Sequence, residues 1–198
     1  MEEKKEKTVE KAREYFHTYG YRGASLSALI AEIGISKPTF YNYFKNKEEL
    51  FNTVMLETYN EFHYQFNQRV KSAPNAMEKL EIFITTFAWF LDTYPILRDL
   101  FKPGNDLLAR WADSRYSKDF FAEGVELVRS ILEQGVEQGI FGREIDVNEC
   151  AALLYYLVHS TLSNDPNLFR KQGQPEIRID ARTLVKVLGR GILAREPD

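Results

Sequence analysis

The chain has 198 residues, of which 44% are hydrophobic and 28% charged, with a formal net charge of −3 at pH 7. This composition is ample for a buried core, and the low glycine (11) and proline (7) counts exclude a low-complexity chain. The longest apolar stretch, Ile82 to Leu91, has about half of the ~20 residues that a membrane-spanning helix needs. The N-terminus mixes acids and bases, unlike a signal peptide, so we expect a cytoplasmic protein with no membrane partner.

Two short helices are predicted first. Apolar residues at spacings of three and four indicate a helix over residues 4–19, which Gly20 ends. A second helix of about two turns follows, with Ser25 or Ser27 as its N-cap and Gly34 as a left-handed residue at its end.

A third short helix is predicted from Ser36 to Phe44. Ser36 occupies the N-cap position, and Pro38 lies in the first turn, where a missing N–H costs nothing. The second and third predicted helices are short and are joined by a tight turn that contains Gly34. Such a pair is a helix-turn-helix, and the later helix of the pair enters the DNA major groove.

Longer helices are predicted after residue 45. Asn46 with Glu49, and Asn75 with Glu78, resemble capping boxes that begin helices ending near Lys71 and Tyr94. No segment alternates with period two, so we predict an all-α fold. Further helical patterns cover residues of about 105–115, 118–138, 147–163 and 181–194.

Charge favours nucleic-acid binding at the N-terminal end. Residues 1–47 carry nine Lys/Arg and six Asp/Glu, a balance of +3, which leaves 17 basic and 23 acidic residues for the rest of the chain. A basic surface is what the phosphate backbone requires, although such an excess also occurs on ordinary solvated faces.

The third helix has side chains that suit a DNA-reading role. Small or amide side chains are required at the base edges, and Thr39 and Asn42 meet this requirement. Phe40 and Phe44 are expected to face the core. The alternative is a merely solvated, tyrosine-rich helix. Phosphate oxygens accept hydrogen bonds from hydroxyl and ammonium groups, which suits Ser25, Ser27, Tyr41, Tyr43 and Lys47.

The run LSALIAEIGISKPTFYNYFKNKEELF, Leu26 to Phe51, is similar to the N-terminal domain of TetR-family repressors. The resemblance implies an N-terminal three-helix DNA-binding domain, residues 1–47, and a helical ligand-binding and dimerisation domain, residues 48–198, with the helix over 47–71 connecting them. It also implies a double-stranded DNA operator and a small-molecule effector. The implied groove contacts come from Lys37, Pro38, Thr39 and Asn42, and the implied phosphate contacts from Ser25, Ser27, Tyr41, Tyr43 and Lys47.

Aromatic residues concentrate between Phe83 and Trp111. Such side chains fill cores first, but ligand pockets in helical bundles have the same lining with a few polar groups. The resemblance implies an inducer site here, and the lining favours an apolar or aromatic effector. A lone His159 is more often a structural residue than a ligand contact. The candidate ligand-binding residues are Phe83, Phe87, Phe90, Tyr94, Phe101, Trp111, Tyr155 and His159.

The helices near 118–138 and 147–163 predict a homodimer. The first has two apolar stripes, which one partner helix cannot cover, and residues 151–158 are apolar on every face. An intermolecular four-helix bundle would bury both, whereas the alternative is an internal pair in a monomer.

Other classes of function lack sequence support. The three histidines and Cys150 lie in no nucleophile, metal or phosphate-loop motif, so we expect neither an enzyme nor a cofactor. A small-molecule-binding helical protein without DNA-binding function is the remaining alternative to a regulator. It would account for the aromatic half of the chain alone.

Overall fold

The computed structural model describes residues 2–94, 96–101, 117–163 and 180–192, and its elements there are α-helices. The all-α prediction is confirmed. No helix within these ranges has both the length and the apolarity needed to cross a bilayer. The helices are α1 (Glu2–Gly23), α2 (Leu26–Ile33), α3 (Lys37–Tyr43), α4 (Lys47–Val70), α5 (Ala76–Thr93), α6 (Ile96–Phe101), α7 (Ser117–Glu137), α8 (Val147–Ser163) and α9 (Ala181–Ile192).

The first three helices begin and end where local chemistry predicts. Gly20 interrupts α1 with a φ of 65°, and a single further turn leads to Gly23. Ser25, rather than Ser27, is the N-cap of α2, since its hydroxyl accepts the N–H of Ala28 at 3.1 Å. Gly34 has a φ of 79°, the left-handed conformation that glycine adopts without strain, and so ends α2.

Asparagine caps begin the two long helices. The Asn46 side chain accepts the N–H of Glu49 at 2.8 Å, and the Glu49 carboxylate accepts the N–H of Lys45 at 2.6 Å. Asn75 accepts the N–H of Glu78 at 3.0 Å in the same way. Both starts agree with the prediction, because a cap needs only residues that are close in the sequence.

Helix α6 was not predicted. It spans six residues between Pro95 and Pro103, which is too short for an apolar period to be recognised. Ile96 and Leu97 are buried, so tertiary contacts stabilise this turn and a half. The helix predicted over 105–115 lies outside the described residues.

One continuous hydrophobic core joins the described helices. Helix α1 packs against α2, α4 and α6, whereas α5 packs against α4, α7, α8 and α9. The contact between α7 and α8 is close at Gly124, where an added Cβ would lie 2.7 Å from Cζ of Tyr155. The fold therefore places α4 in contact with both the N-terminal helices and the aromatic helix α5.

Candidate nucleic-acid interface and effector site

Helix α3 has one buried side and one exposed side. The rings of Phe40 and Phe44 are almost completely buried, as predicted. On the other side Lys37, Pro38 and Asn42 are exposed, and Tyr41 retains 56% of its accessible surface. Because the phenylalanines fix the rotation of the helix, its polar face points away from the core.

The N-terminus of α3 is ordered by a pair of hydroxyls. Ser36 Oγ accepts the N–H of Thr39 at 3.2 Å and lies 2.8 Å from the Thr39 hydroxyl, so one hydroxyl donates to the other. Thr39 is half-buried, whereas Asn42 is exposed. Their base-reading roles stay predictions, with Asn42 the more accessible of the two.

The residues predicted to contact phosphates differ in their surroundings. Ser25 and Ser27 at the start of α2 are exposed, and Tyr43 is half-buried with its ring 6.3 Å from that of Phe44. Lys47 is placed differently, because its ammonium donates to the carbonyls of Tyr21 and Ala24 at 2.8 Å each. The Lys47 ammonium thus ties α4 to the link between α1 and α2, and its phosphate contact stays a prediction.

A second site candidate is a group of rings between α4, α5 and α8, which we call the aromatic cluster: Phe62, Phe83, Phe87, Phe90, Tyr155 and His159. The imidazole of His159 is stacked between two rings, 4.0 Å from the centroid of Phe87 and 4.1 Å from that of Tyr155. Phe83 lies 6.5 Å from Tyr155. These four residues and Phe90 are five of the eight predicted ligand-binding residues, so most of the predicted set lies in one cluster.

Phe62 completes the cluster, and sequence reasoning did not include it among the ligand-binding residues. Its ring lies edge-on to Phe83 at 6.2 Å, Phe87 at 6.3 Å and Phe90 at 5.3 Å. Phe62 and Phe66 are four positions apart and therefore share one apolar face of α4. This spacing alone does not tell which helix packs against that face.

The cluster is electrically neutral. Burial lowers the pKa of His159 to about 3, and burial also raises the pKa of Tyr155. At neutral pH the imidazole is therefore uncharged and the phenol keeps its proton. A site of this kind suits apolar or weakly polar groups, since a bare charge would be poorly solvated there.

The other predicted ligand residues are not all in the cluster. Tyr94 lies at its edge, half-buried, with its ring 5.0 Å from that of Phe90. The side chain of Phe101 and the whole of Trp111 lie outside the described residues.

A polar group borders the aromatic cluster between α4 and α7. The Tyr59 hydroxyl donates to the carboxylate of Glu123, and the His63 ring lies 4.2 Å from that of Tyr59. The buried Nε2 atom of His63 has no hydrogen-bond partner among the described residues. Burial lowers the pKa of His63, and nearby Glu123 opposes this shift. Sequence reasoning missed this group, because Glu123 on α7 is 64 residues from Tyr59 and 60 residues from His63 on α4.

Comparisons with known proteins agree with a helix-turn-helix followed by a helical domain. Residues 9–54 match the family model described as bacterial regulatory proteins of the TetR family. The chain is 22% identical over 158 residues to the fatty acid metabolism regulator protein of Bacillus subtilis (strain 168), covering 78% of this chain and 79% of that protein.

Solved structures show the same fold. The transcriptional regulator FadR from Bacillus subtilis, in complex with stearoyl-CoA, superposes with a TM-score of 0.72 at 19% identity and covers 94% of this chain and 98% of that one. The ketosteroid transcriptional regulator KstR2 of Mycobacterium tuberculosis superposes with a TM-score of 0.66 at 19% identity, over 96% and 95% of the two chains. The names of these proteins describe regulators, and those of the two solved structures describe transcriptional regulators.

An exposed polar face on α3, held by buried phenylalanines within a matched helix-turn-helix, defines a DNA-binding transcriptional regulator. The helical C-terminal part with its neutral aromatic cluster agrees with the fold of the structural relatives. Residues 9–54 match the TetR-family model, and the described helices have the fold of solved TetR-family transcriptional regulators.

Proposed function

We propose that this regulator is a ligand-responsive repressor that leaves a palindromic operator when a lipid-like effector enters the aromatic cluster. The observation that carries the proposal is the position of Phe62. Phe62 belongs both to the cluster and to α4. The first turn of α4 contains Lys47, which bonds to the helix-turn-helix. A ligand that favours one packing of Phe62 would shift the population of α4 orientations, within the limit set by its differential affinity.

The effector class follows from the chemistry of the cluster. Its rings are uncharged at neutral pH and buried, so they favour an extended apolar group over a sugar or an ion. The similar proteins support this choice, since their names refer to fatty acid metabolism, stearoyl-CoA and ketosteroids. Stearoyl-CoA is accordingly the first probe, with free coenzyme A as the control for the headgroup.

The DNA contacts that we propose use the exposed face of α3 and the start of α2, within a DNA-binding part that comprises residues 1–47. Lys37, Pro38, Thr39 and Asn42 would contact the groove, while Ser25, Ser27, Tyr41 and Tyr43 would position the phosphates. Lys47 would join them only if its ammonium left the carbonyls of Tyr21 and Ala24. A regulator of this kind works where the DNA lies, in the cytoplasm.

We propose a homodimer through α7 and α8. The sequence predicts that an intermolecular bundle buries residues 151–158 on all sides. Within one chain Leu153, Tyr156 and Leu157 are exposed, the first two by 58% and 60%. These residues are three and four positions apart and form one apolar face. A second chain covering this face would give a dimer with two α3 helices. On a palindromic site they must lie about 34 Å apart.

The dimer is tested by placing a charge on this face. We expect Leu153→Glu to give a monomer in sedimentation velocity and to weaken operator binding. Val187→Glu is the matched control, because Val187 is an equally exposed valine on α9. A Leu153→Glu protein that remains a dimer would contradict this interface.

The regulator function is tested with duplex DNA. Fragments selected from a random duplex pool should bind with an affinity that falls steeply as salt rises, and Asn42→Ala should relax the selected sequence. Stearoyl-CoA should then release the fragment in fluorescence anisotropy and change the emission of Trp89, whose ring lies 5.3 Å from Phe90. Stearoyl-CoA binding without any DNA binding would support the alternative of a helical small-molecule-binding protein.

A further inference from the structure

Arg13 stands where three helices meet. It lies on α1, and its guanidinium donates to the Glu57 carboxylate of α4 at 3.0 Å. The same guanidinium lies 5.7 Å from the ring centroid of Tyr94, which caps the end of α5. One side chain therefore connects the helix-turn-helix to both α4 and the end of the aromatic helix.

Tyr94 joins this contact to the aromatic cluster. Its ring is 5.0 Å from Phe90, whose own ring is 5.3 Å from Phe62. Its N–H donates to the carbonyl of Phe90 at 2.7 Å, and its carbonyl accepts the N–H of Leu97 at 2.9 Å. Tyr94 thus forms the joint between α5 and α6, so a change in the packing of Phe90 would displace the ring beneath Arg13.

The charges around Glu57 oppose one another. Burial raises the pKa of Glu57 and Arg13 lowers it, while Glu6 and Glu10 on α1 raise it and Lys5 lowers it. The carboxylates of α1 therefore repel Glu57, and the guanidinium of the same helix attracts it. If Arg13 moved away, the net interaction of α1 with Glu57 would become less attractive.

The hydrogen bonding of Arg13 is incomplete in this arrangement. Its Nε atom is buried, and no acceptor for it exists among the described residues. A guanidinium presents a planar fork that favours two parallel bonds with a carboxylate. The observed contact is thus compatible with a second arrangement, in which Arg13 engages Glu57 differently and leaves the ring of Tyr94.

We propose that Arg13 is a positioning residue that transmits the state of the aromatic cluster to the helix-turn-helix through its joint contacts with Tyr94 and Glu57. The inference rests on the proposed function, in which the effector shifts α4. It adds a second connection between the aromatic cluster and the helix-turn-helix, which runs through α1. Two features define the route: the contact of Arg13 with Tyr94, and the opposing charges on α1 that face Glu57.

The first experiment needs no effector. Operator affinity is measured by anisotropy for the wild type, Arg13→Met, Tyr94→Leu and the double variant. We expect Tyr94→Leu to change the dissociation constant by about threefold or more when Arg13 is present and to change it little in the Arg13→Met background. The proposal would be overturned if Tyr94→Leu changed the dissociation constant by the same factor in both backgrounds. It would also be overturned if the chain bound no duplex DNA.

A matched control uses a similar pair that does not involve α1. Arg69 on α4 lies 4.9 Å over the ring of Trp89 on α5, and it also approaches the Thr86 hydroxyl. Arg69→Met and Trp89→Leu should alter thermal stability without changing operator affinity. Equal effects from both pairs would mean that Arg13 acts only through stability.

The second experiment adds stearoyl-CoA. For the wild type we expect a release factor, the ratio of operator dissociation constants with and without the probe, within the usual allosteric range of about 5 to 150. Arg13→Lys keeps the charge beside Glu57 but not the planar group over the ring. It should remain folded and show a smaller release factor, whereas an unchanged factor would overturn the proposal. If the wild type itself does not respond, the effector class is wrong, and the effector-free cycle still decides on Arg13.

Discussion

The helix-turn-helix and the aromatic cluster are both rich in aromatic residues, but they bury different chemistry. In the first, Phe16, Phe40 and Phe44 are fully buried hydrocarbon rings, and the polar groups of α3 project outward. In the second, the rings enclose an imidazole and a phenol that burial holds neutral. The first arrangement suits a scaffold that presents a surface, and the second suits an interior that receives a ligand.

The largest expected effect comes from truncating one buried ring in each region, which distinguishes a scaffold role from a ligand-binding role. Phe40→Ala leaves a cavity beneath α3 and should lower the free energy of unfolding by about 3–5 kcal/mol, with loss of operator binding. Phe87→Ala in the aromatic cluster should leave operator binding intact and reduce the response to stearoyl-CoA. Urea unfolding followed by circular dichroism gives the first quantity and anisotropy the second. The comparison fails if Phe87→Ala abolishes operator binding as well.

The next prediction concerns the helix contact behind the aromatic cluster. A methyl group at Gly124 would collide with the ring of Tyr155, so Gly124→Ala should destabilise the protein by about 1–3 kcal/mol. A second change, Tyr155→Leu, removes the ring and should recover part of this loss in thermal unfolding. If Gly124→Ala raises the melting temperature, as it would for an ordinary helix glycine, the close contact of α7 with Tyr155 is wrong.

What could be predicted from the sequence follows the same division. The helix-turn-helix depends on local chemistry, so the caps at Ser25, Ser36 and Asn46 and the left-handed Gly34 were identifiable from neighbouring residues. Phe40 and Phe44 were placed in the core by spacing alone.

The aromatic cluster depends on contacts between distant segments. Composition indicated that aromatic residues would gather near α5, but nothing local showed that Phe62 joins them or that Arg13 reaches Tyr94, 81 positions away. Helix α6 was missed because packing rather than periodicity stabilises it. The sequence predicts that α8 is buried on all sides in an intermolecular bundle, but it does not show which of its faces is left open within one chain.

Acid stability distinguishes the buried imidazole from an exposed one. The pKa of folded His159 is about 3 and that of an unfolded histidine is about 6.5, so protonation favours the unfolded chain. Its contribution is fully present above pH 6.5 and is lost as the pH falls toward 3, by about 2 kcal/mol at pH 5. His159→Phe should therefore lose less stability than the wild type between pH 7.5 and pH 5 in urea titrations.

The control for this measurement comes from the other region. His17→Gln, which removes an exposed histidine of the helix-turn-helix, is the reference variant for the loss of a histidine outside the cluster. If His159→Phe retains the pH dependence of the wild type, the imidazole is hydrated in the folded protein and the aromatic cluster is less dry than its ring contacts indicate.

The smallest expected effect is on the salt dependence of DNA binding. A lysine that contacts a phosphate contributes about one unit to the slope of the logarithm of affinity against the logarithm of salt concentration. Because the Lys47 ammonium is held by the carbonyls of Tyr21 and Ala24, Lys47→Met should weaken binding through a less stable helix-turn-helix and leave this slope unchanged. Lys37→Met removes an exposed positive charge from the groove-facing side of α3 and should reduce the slope, because one cation fewer displaces counterions from the DNA. A reduced slope for Lys47→Met would instead show that the ammonium leaves the two carbonyls when DNA binds. The helix-turn-helix would then be a less rigid scaffold than its buried phenylalanines indicate.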